Sequence, residues 1–183
     1  GGTLITPHIV LTAAHCLVIQ GETLSPQRIH VGLGKVNRQY HQNESTAAVL
    51  TVRKVVVPDG YRGAIQNYAM DIALLDLDVG VRLSDTIRPA CLDLNDQFQL
   101  TDNTIGYIAG WGKTENSIPS EYLQWARQLY LSYASCWNKT NRSDQRFLTH
   151  DKFCLVSVQG SKPGKGDSGG GFTVIRDGFH YVY

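Results

Sequence analysis

The segment Gly166-Asp167-Ser168-Gly169-Gly170 sets one serine between glycines in a chain of 183 residues. Glycine has no Cβ and adopts left-handed backbone conformations, so the chain can turn tightly here and expose the Ser168 hydroxyl. Such a turn also leaves the amides of Gly166 and Ser168 free to point into one pocket, where they can stabilise an oxyanion. Taken by itself, the pattern is also compatible with a purely structural turn.

The same five residues satisfy Gly-x-Ser-x-Gly, the pattern of the nucleophile elbow in α/β-hydrolases, so the pattern alone does not decide the fold. An α/β-hydrolase places its acid and then its histidine after the serine, with a helix directly after the elbow. Only fifteen residues follow Ser168, and their pattern is typical of strands. The order of residues therefore excludes a carboxylesterase of that class.

A histidine and an acidic residue that can activate Ser168 stand earlier in the chain. A serine hydroxyl is a weak nucleophile until an adjacent base, itself oriented by a third group, takes its proton. Leu11-Thr12-Ala13-Ala14-His15-Cys16 ends a strand-like run with a histidine, and Met70-Asp71-Ile72-Ala73-Leu74-Leu75 opens an apolar strand with a carboxylate. Separately, such residues usually serve packing or a turn. In the order His15, Asp71 and Ser168 they predict a catalytic triad.

Short β-runs separated by Gly, Pro, Asn and Asp recur along the whole chain. Strands are predicted at residues 3–5, 9–12, 28–33, 49–57, 71–77, 105–109, 123–131, 153–158, 172–175 and 180–183, and one helix at 133–138. Strands at this density, without amphipathic helices between them, favour an all-β barrel or sandwich over an α/β sheet. The polar stretch 88–103 is the expected linker between two halves of similar size.

The composition is that of an ordered globular protein, with 42% hydrophobic residues and 17 Lys+Arg against 16 Asp+Glu. A net charge of +1 spread along the chain creates no field that would attract a polyanion, so neither nucleic acid nor an anionic membrane is expected as a partner. No stretch approaches the roughly 18 to 20 apolar residues that cross a bilayer.

The cysteine pattern favours disulfides over a structural zinc site. No two cysteines form a Cys-x-x-Cys pair, and no histidine stands at zinc-ligand spacing from any of them. Three Asn-x-Ser/Thr sequons agree with an oxidising, secretory setting and give N-glycosylation candidates at Asn43, Asn138 and Asn141. No metal site is predicted, and no ligand cluster for calcium is found.

Together, the three segments around His15, Asp71 and Ser168 resemble the chymotrypsin-type (trypsin-like, S1) serine protease family, over essentially the whole chain. Three more segments match that family: Gly1-Gly2-Thr3-Leu4-Ile5, Arg88-Pro89-Ala90-Cys91-Leu92 and Gly110-Trp111-Gly112. The resemblance implies an all-β fold of two antiparallel six-stranded barrels with the active-site cleft between them. Residues 1–95 would form the first barrel and residues 104–183 the second.

The resemblance also implies a role for each residue of the site. His15 would take the Ser168 proton during attack on the scissile carbonyl and return it to the leaving amine, while Asp71 fixes the imidazole tautomer. The amides of Gly166 and Ser168 would form the oxyanion hole. Asp167 would pair with the new N-terminal ammonium that forms when such a zymogen is cleaved.

These roles predict a secreted serine endopeptidase without a cofactor, made as a cascade zymogen that acts on protein or peptide substrates and meets protease inhibitors. The alternative is a catalytically inactive homologue with a regulatory or binding role, although such homologues commonly lose the nucleophile or the base. Gly171, Tyr61-Arg62-Gly63 and Asn67-Tyr68-Ala69-Met70-Asp71 narrow the resemblance to the modular serine proteases of arthropod immune cascades.

The disulfides that the resemblance implies are only partly contained in the chain. Cys136 with Cys154 is the one family pair present, whereas Cys16 would pair with a cysteine just before Gly1, and Cys91 with a pro-region or light chain. We therefore expect the chain to be the central part of a domain of about 220 to 250 residues. Truncated at both ends, it is expected to be inactive and poorly stable by itself.

Several positions depart from the family pattern. Lys162 stands six residues before Ser168, where trypsin-like specificity requires an aspartate to pair with a substrate Arg or Lys. A cation in this specificity pocket would repel such a side chain, unless Lys162 simply extends into solvent. Gly164 replaces a cysteine that braces the pocket, and Gly106 and Val174 replace a bridge within the second barrel.

Overall fold

Ten of the twelve described strands form two antiparallel five-stranded sheets, in a computed structural model that describes residues 1–158, 160 and 162–183. The strands are β1 (Thr3–Thr6), β2 (Ile9–Thr12), β3 (Val18–Ile19), β4 (Glu22–Thr23), β5 (His30–Leu33), β6 (Ala48–Val56), β7 (Ala73–Leu77), β8 (Ile105–Gly110), β9 (Gln124–Leu131), β10 (Cys154–Ser157), β11 (Thr173–Arg176) and β12 (Phe179–Val182). The first sheet has the order β1-β2-β7-β6-β5 and the second β10-β9-β8-β11-β12.

The helical structure is short. One α-helix, α1, spans Tyr133–Lys139, and 3-10 helices occupy Ala14–Cys16, Pro26–Arg28, Gly63–Gln66 and Gln145–Phe147. None of the described helices combines the length and the apolar character needed to cross a lipid bilayer.

The predicted all-β fold is confirmed, and each of the ten predicted runs contains a strand whose ends lie within two residues of the expected ones. The run at 28–33 begins late because Pro26–Arg28 forms a 3-10 turn with proline at its start. The hairpin of β3 and β4 was not predicted, because strands of two residues are too short to show an alternating pattern.

Each sheet has five strands within the described residues, one fewer than the six that the resemblance implied. A closed barrel requires hydrogen bonds between its first and last strands. In the first sheet β1 and β5 lie at opposite edges, and in the second sheet β10 and β12 do. Both sheets are therefore open, and the barrels are present as curved halves.

Alternation along β7 shows how the sequence builds the core of the first sheet. Ala73, Leu75 and Leu77 are buried, while the residues between them are half-buried. Successive side chains of a strand point to opposite faces, so these three project to the same side. Val10 of β2 and Val52 of β6 belong to the same hydrophobic cluster, which lies beneath the strands that carry the site.

A loop of the first sheet is joined to the ends of β8 and β9 of the second sheet by hydrogen bonds to one backbone carbonyl. The carbonyl of Val36 accepts from the amide of Leu123 at 2.8 Å and from the indole of Trp111 at 2.8 Å. The same loop contains a buried ion pair, in which Lys35 Nζ lies 2.7 Å from Glu44 Oε1. Because a buried ammonium needs a partner, this pair holds the loop in the shape that exposes Val36.

A disulfide joins Cys136 of α1 to Cys154 of β10, the pair that the resemblance implied. Cys16 and Cys91 are free and half-buried. The backbone of Cys91 nevertheless links the two halves, since its amide donates to His180 at 2.7 Å and its carbonyl accepts from Val182 at 3.0 Å.

Leu77 tests the core of the first sheet, because its side chain is completely buried. We expect Leu77→Ala to lower the free energy of unfolding by about 2 to 5 kcal/mol, the usual cost of lost burial plus a cavity. Urea denaturation measures the change. Leu94 is 84% exposed, so Leu94→Ala is the control and should change the free energy by less than about 0.5 kcal/mol. Equal effects in the two variants would contradict the described core.

Candidate active site

His15 and Asp71 form the best-defined polar contact of the site. His15 lies in the 3-10 helix that directly follows β2, and Asp71 lies two residues before β7, the neighbouring strand. One Asp71 oxygen lies 2.6 Å from the ring Nδ1, and the other accepts from the backbone amide of His15 at 2.8 Å. With both oxygens engaged on one residue, the carboxylate fixes the position and the orientation of the imidazole.

Two tyrosines lie near this pair, and no chemical feature of the sequence singles them out. Tyr61 is buried, and this burial, together with the nearby charge of Asp71, raises the pKa of its hydroxyl. Tyr68 presents its ring edge-on to His15, with 6.4 Å between ring centroids. Both residues lie in the segments that narrow the resemblance to the modular serine proteases. The sequence alone does not show that these tyrosines lie near His15 and Asp71.

The glycine-flanked Ser168 lies against the segment that leads to His15. A Cβ at Gly169 would overlap Thr12 and crowd the Ala13 amide, so only glycine permits this approach. The Gly1 nitrogen donates to the Ser168 carbonyl at 2.6 Å, and the Thr12 hydroxyl donates to the Gly1 carbonyl at 2.7 Å. The turn at Ser168 and the end of β2, far apart in sequence, are thus brought to neighbouring positions.

The Ser168 hydroxyl forms no hydrogen bond with His15 within the part of the chain that the structure describes. Instead, the ring Nε2 lies 3.7 Å from Cys16 Sγ. Burial raises the pKa of the Cys16 thiol, and the negative charge of Asp71 adds to the increase. The thiol is therefore neutral at physiological pH and is a weak partner for the ring.

Asp167 is held by backbone amides. Its Oδ1 accepts from the amide of Gly112 at 2.7 Å, and its Oδ2 accepts from that of Gly164 at 2.8 Å. A Cβ at Gly110 or Gly112 would overlap this carboxylate, which explains the glycines of the Gly110-Trp111-Gly112 segment. No ion pair with Asp167 occurs among the described residues, so its pairing with an ammonium stays a prediction.

The departures from the family pattern have local explanations. A side chain at Gly164 would overlap the Lys113 carbonyl, so the backbone here leaves no room for the expected cysteine. The Lys113 amide also donates to Lys165 at 3.0 Å, which keeps the two segments close. At Gly106, the Phe172 ring fills the space that a Cβ would need. Val174, which occupies the other position of the missing bridge, is buried.

A cavity of about 770 Å³ opens beside the serine. Its lining includes Lys113, Trp125, Phe153, Lys162, Gly164 and Ser168. Lys162 is exposed to solvent at this cavity. Over the described residues, no group of three or more His, Cys, Asp or Glu side chains is arranged to hold a metal ion.

The amino-acid sequence matches the profile of the trypsin family over residues 1–180. The chain belongs to the trypsin family of serine proteases. The family resemblance inferred from the motifs is therefore confirmed over nearly the whole chain.

The relatives of this trypsin-family chain include proteases that are much longer than the chain. It is 36% identical over 178 residues to the modular serine protease of Drosophila melanogaster, with 94% of this chain and 27% of that protein covered. It is 29% identical to clotting factor C of Tachypleus tridentatus, covering 97% of this chain and 18% of that protein. It is 31% identical to coagulation factor IX of Oryctolagus cuniculus, covering 100% of this chain and 63% of that protein. The chain thus spans about a quarter of the modular serine protease and less than two thirds of the others.

Gly112 provides a test of how Asp167 is packed. We expect Gly112→Ala to lower the free energy of unfolding by about 1 to 3 kcal/mol, because the new methyl group overlaps the carboxylate. Chemical denaturation of both single variants and the double variant with Asp167→Ala gives the coupling between the two sites. The alanine at 112 should cost much less once the carboxylate is removed. Strictly additive effects would show that the two residues do not touch.

Proposed function

We propose that the protein is a serine endopeptidase that hydrolyses peptide bonds of protein substrates through His15, Asp71 and Ser168. The observation that supports this most directly is the two-point contact between the Asp71 carboxylate and His15. This contact leaves Nδ1 with the proton and Nε2 free to act as a base. With a substrate carbonyl bound, Nε2 takes the Ser168 proton as Oγ attacks, and then delivers it to the leaving amine.

The negative charge that develops on the carbonyl oxygen needs donors near Ser168. The proposed donors are the backbone amides of Gly166 and Ser168, in a turn where Gly166 has a φ of 111° and Gly169 a φ of 79°. L side chains rarely adopt such values, so the two glycines make this turn possible. Each oxyanion donor of this kind contributes about a hundredfold to a thousandfold to the rate.

The catalytic residues are proposed to come from two halves of one domain. Residues 1–95 supply His15 and Asp71, residues 104–183 supply Ser168, and the substrate peptide lies between the halves. This division is supported by the contact of Gly169 with Thr12 and by the two separate sheets.

We infer that the protein is secreted and works as a zymogen in a protease cascade, where protease inhibitors would control it. The internal disulfide is consistent with an oxidising compartment, and relatives are named as clotting factors and as a modular serine protease. Asn43, Asn138 and Asn141 are exposed, as N-glycosylation requires. A role in innate immunity follows from the modular-protease likeness.

Cys91 is the proposed attachment point of a pro-region or light chain. It is free and half-buried, and it lines a surface groove with Pro89, Phe179 and His180. A disulfide at this position would keep the activating segment bound to the protease domain after cleavage.

Primary specificity is proposed to exclude basic residues. Because Lys162 is exposed at the cavity beside Ser168, its ammonium would repel a substrate Arg or Lys.

We expect the activated complete protein to show no measurable turnover of an Arg-p-nitroanilide substrate. Lys162→Asp should restore some turnover by reversing the local charge, and Lys113→Asp is the control for a charge change elsewhere in the cavity. Efficient Arg cleavage by the unmodified protein would contradict the proposal.

The activity itself is tested with a fluorophosphonate probe and peptide hydrolysis by the complete, activated protein. We expect labelling of Ser168 that is absent in Ser168→Ala, and a decrease in kcat of about ten-thousandfold in Asp71→Asn, in which His15 adopts the wrong tautomer. Asp76→Asn is the matched control, since Asp76 lies on β7, the strand that follows Asp71, and pairs with exposed Arg53. If the activated protein shows neither labelling of Ser168 nor peptide hydrolysis, the result supports the alternative of an inactive homologue.

A further inference from the structure

The turn directly before Asp71 is conformationally strained. Asn67, Tyr68 and Met70 have φ values of 53°, 57° and 58°. These values lie in the left-handed region, which is unfavourable for most residues other than glycine. Tyr68 and Met70 have no short polar side chain that could stabilise this conformation locally. Such a turn persists only where surrounding contacts hold it in place.

Some of those contacts are local. The amide of Tyr68 donates to the Gly63 carbonyl at 2.9 Å, and the amide of Ile72 donates to the Met70 carbonyl at 2.8 Å. These bonds fix the beginning and the end of the turn. The amide of Met70 itself, at the last strained residue, has no partner within the turn.

That amide donates to a residue of the other half of the protein. Met70 N lies 2.7 Å from Asp151 Oδ2, and Lys152 Nζ donates to the Asn67 carbonyl at 3.3 Å. Asp151 and Lys152 precede β10 of the second sheet, and together they hold both ends of the turn that leads into β7 of the first sheet. The sequence separation of Met70 and Asp151 is 81 residues.

The Asp151 carboxylate is well suited to accept this bond. Burial works against its ionisation, but hydrogen bonds from the Thr149 hydroxyl and the Met70 amide outweigh burial, so the pKa of Asp151 lies below its usual value. The ammonium of Lys152 lies 3.8 Å from the carboxylate and favours the same form. Asp151 is therefore ionised at neutral pH and accepts a charge-assisted hydrogen bond.

We propose that Asp151 is a positioning residue for the triad: by holding the Met70 amide, it sets the orientation in which Asp71 meets His15. This rests on the proposed peptidase function. Met70 and Asp71 share a peptide unit, so relaxation of Met70 from its left-handed conformation rotates the backbone that bears the Asp71 side chain. Because both Asp71 oxygens are engaged with His15, at 2.6 and 2.8 Å, a small rotation weakens at least one of the two bonds.

The chain contains a matched control for this role. Asp102 also accepts a backbone amide, that of Ser132 at 2.6 Å, together with a hydroxyl, that of Ser135. These bonds lower the pKa of Asp102 as well, the Ser135 hydroxyl being the largest cause. Its partners stand at the start of α1 and have no contact with His15 or Asp71 among the described residues. Loss of Asp102 therefore removes a similar set of hydrogen bonds without involving the triad.

The experiment compares Asp151→Ala, Asp151→Asn and Asp102→Ala in the complete, activated protein. Asp151→Ala should lower kcat by up to about a hundredfold with little change in KM, as expected for misplaced catalytic groups. It should also remove the low-field proton NMR signal of the His15 Nδ1–H bonded to Asp71. Asp151→Asn keeps an oxygen that can accept from Met70, so it should retain most of the activity and the signal. Asp102→Ala should lower stability and leave kcat and the signal unchanged.

Unchanged kcat and NMR signal in folded Asp151→Ala would overturn the proposal, and so would equal losses in Asp151→Ala and Asp102→Ala. If Asp151→Ala does not fold, Asp151→Glu replaces it, because this variant keeps the charge and moves the carboxylate by one methylene. Normal kcat and signal in Asp151→Glu would then contradict the positioning role. If the unmodified protein hydrolyses no peptide, the proposed function fails, while the NMR signal still reports on the positioning of Asp71.

Discussion

The contact of Asp71 with His15 is the constraint on which the site depends. It joins two residues that flank neighbouring strands of one sheet, His15 after β2 and Asp71 before β7, and uses both oxygens of one carboxylate. A carboxylate with a single bond could rotate, whereas one with two bonds to the same residue defines a single position for the ring. Other features surround this contact: Tyr61 is buried and close enough to Asp71 for the carboxylate charge to raise its pKa, Tyr68 presents its ring edge-on to His15, and a strained turn directly precedes the aspartate.

Much of the fold was predictable from the sequence because it depends on local patterns. Short β-runs separated by turn residues predict the strands, and the order of His15, Asp71 and Ser168 predicts the candidate site residues. The strained turn before Asp71 was not predictable, since Tyr68 and Met70 have no preference for left-handed backbone and adopt it only under tertiary contacts. The contact of Asp151 with Met70 was equally hidden, because it joins segments that share no periodic pattern.

Several glycines of the sequence occupy positions where the structure leaves no room for a side chain. In the sequence, the motif around Gly112 indicates only the family. In the structure, the Asp167 carboxylate lies where a Cβ at Gly112 would be. Similarly, the absence of a cysteine at Gly164 looked like a lost bridge, whereas the structure shows a backbone too close to Lys113 for any side chain. Substitutions that look like losses in a sequence can thus reflect close approach of two backbone segments.

The separation of the site residues along the chain has a consequence for biosynthesis. His15 and Asp71 belong to a sheet whose strands all lie before residue 78, so this half can assemble while the rest of the chain is still being translated. Ser168 is added 97 residues after Asp71, an interval of roughly 5 to 20 seconds at usual rates of synthesis. The proposed base and its orienting acid are therefore synthesised before the proposed nucleophile, so a nascent chain that ends before residue 168 does not yet contain the proposed triad.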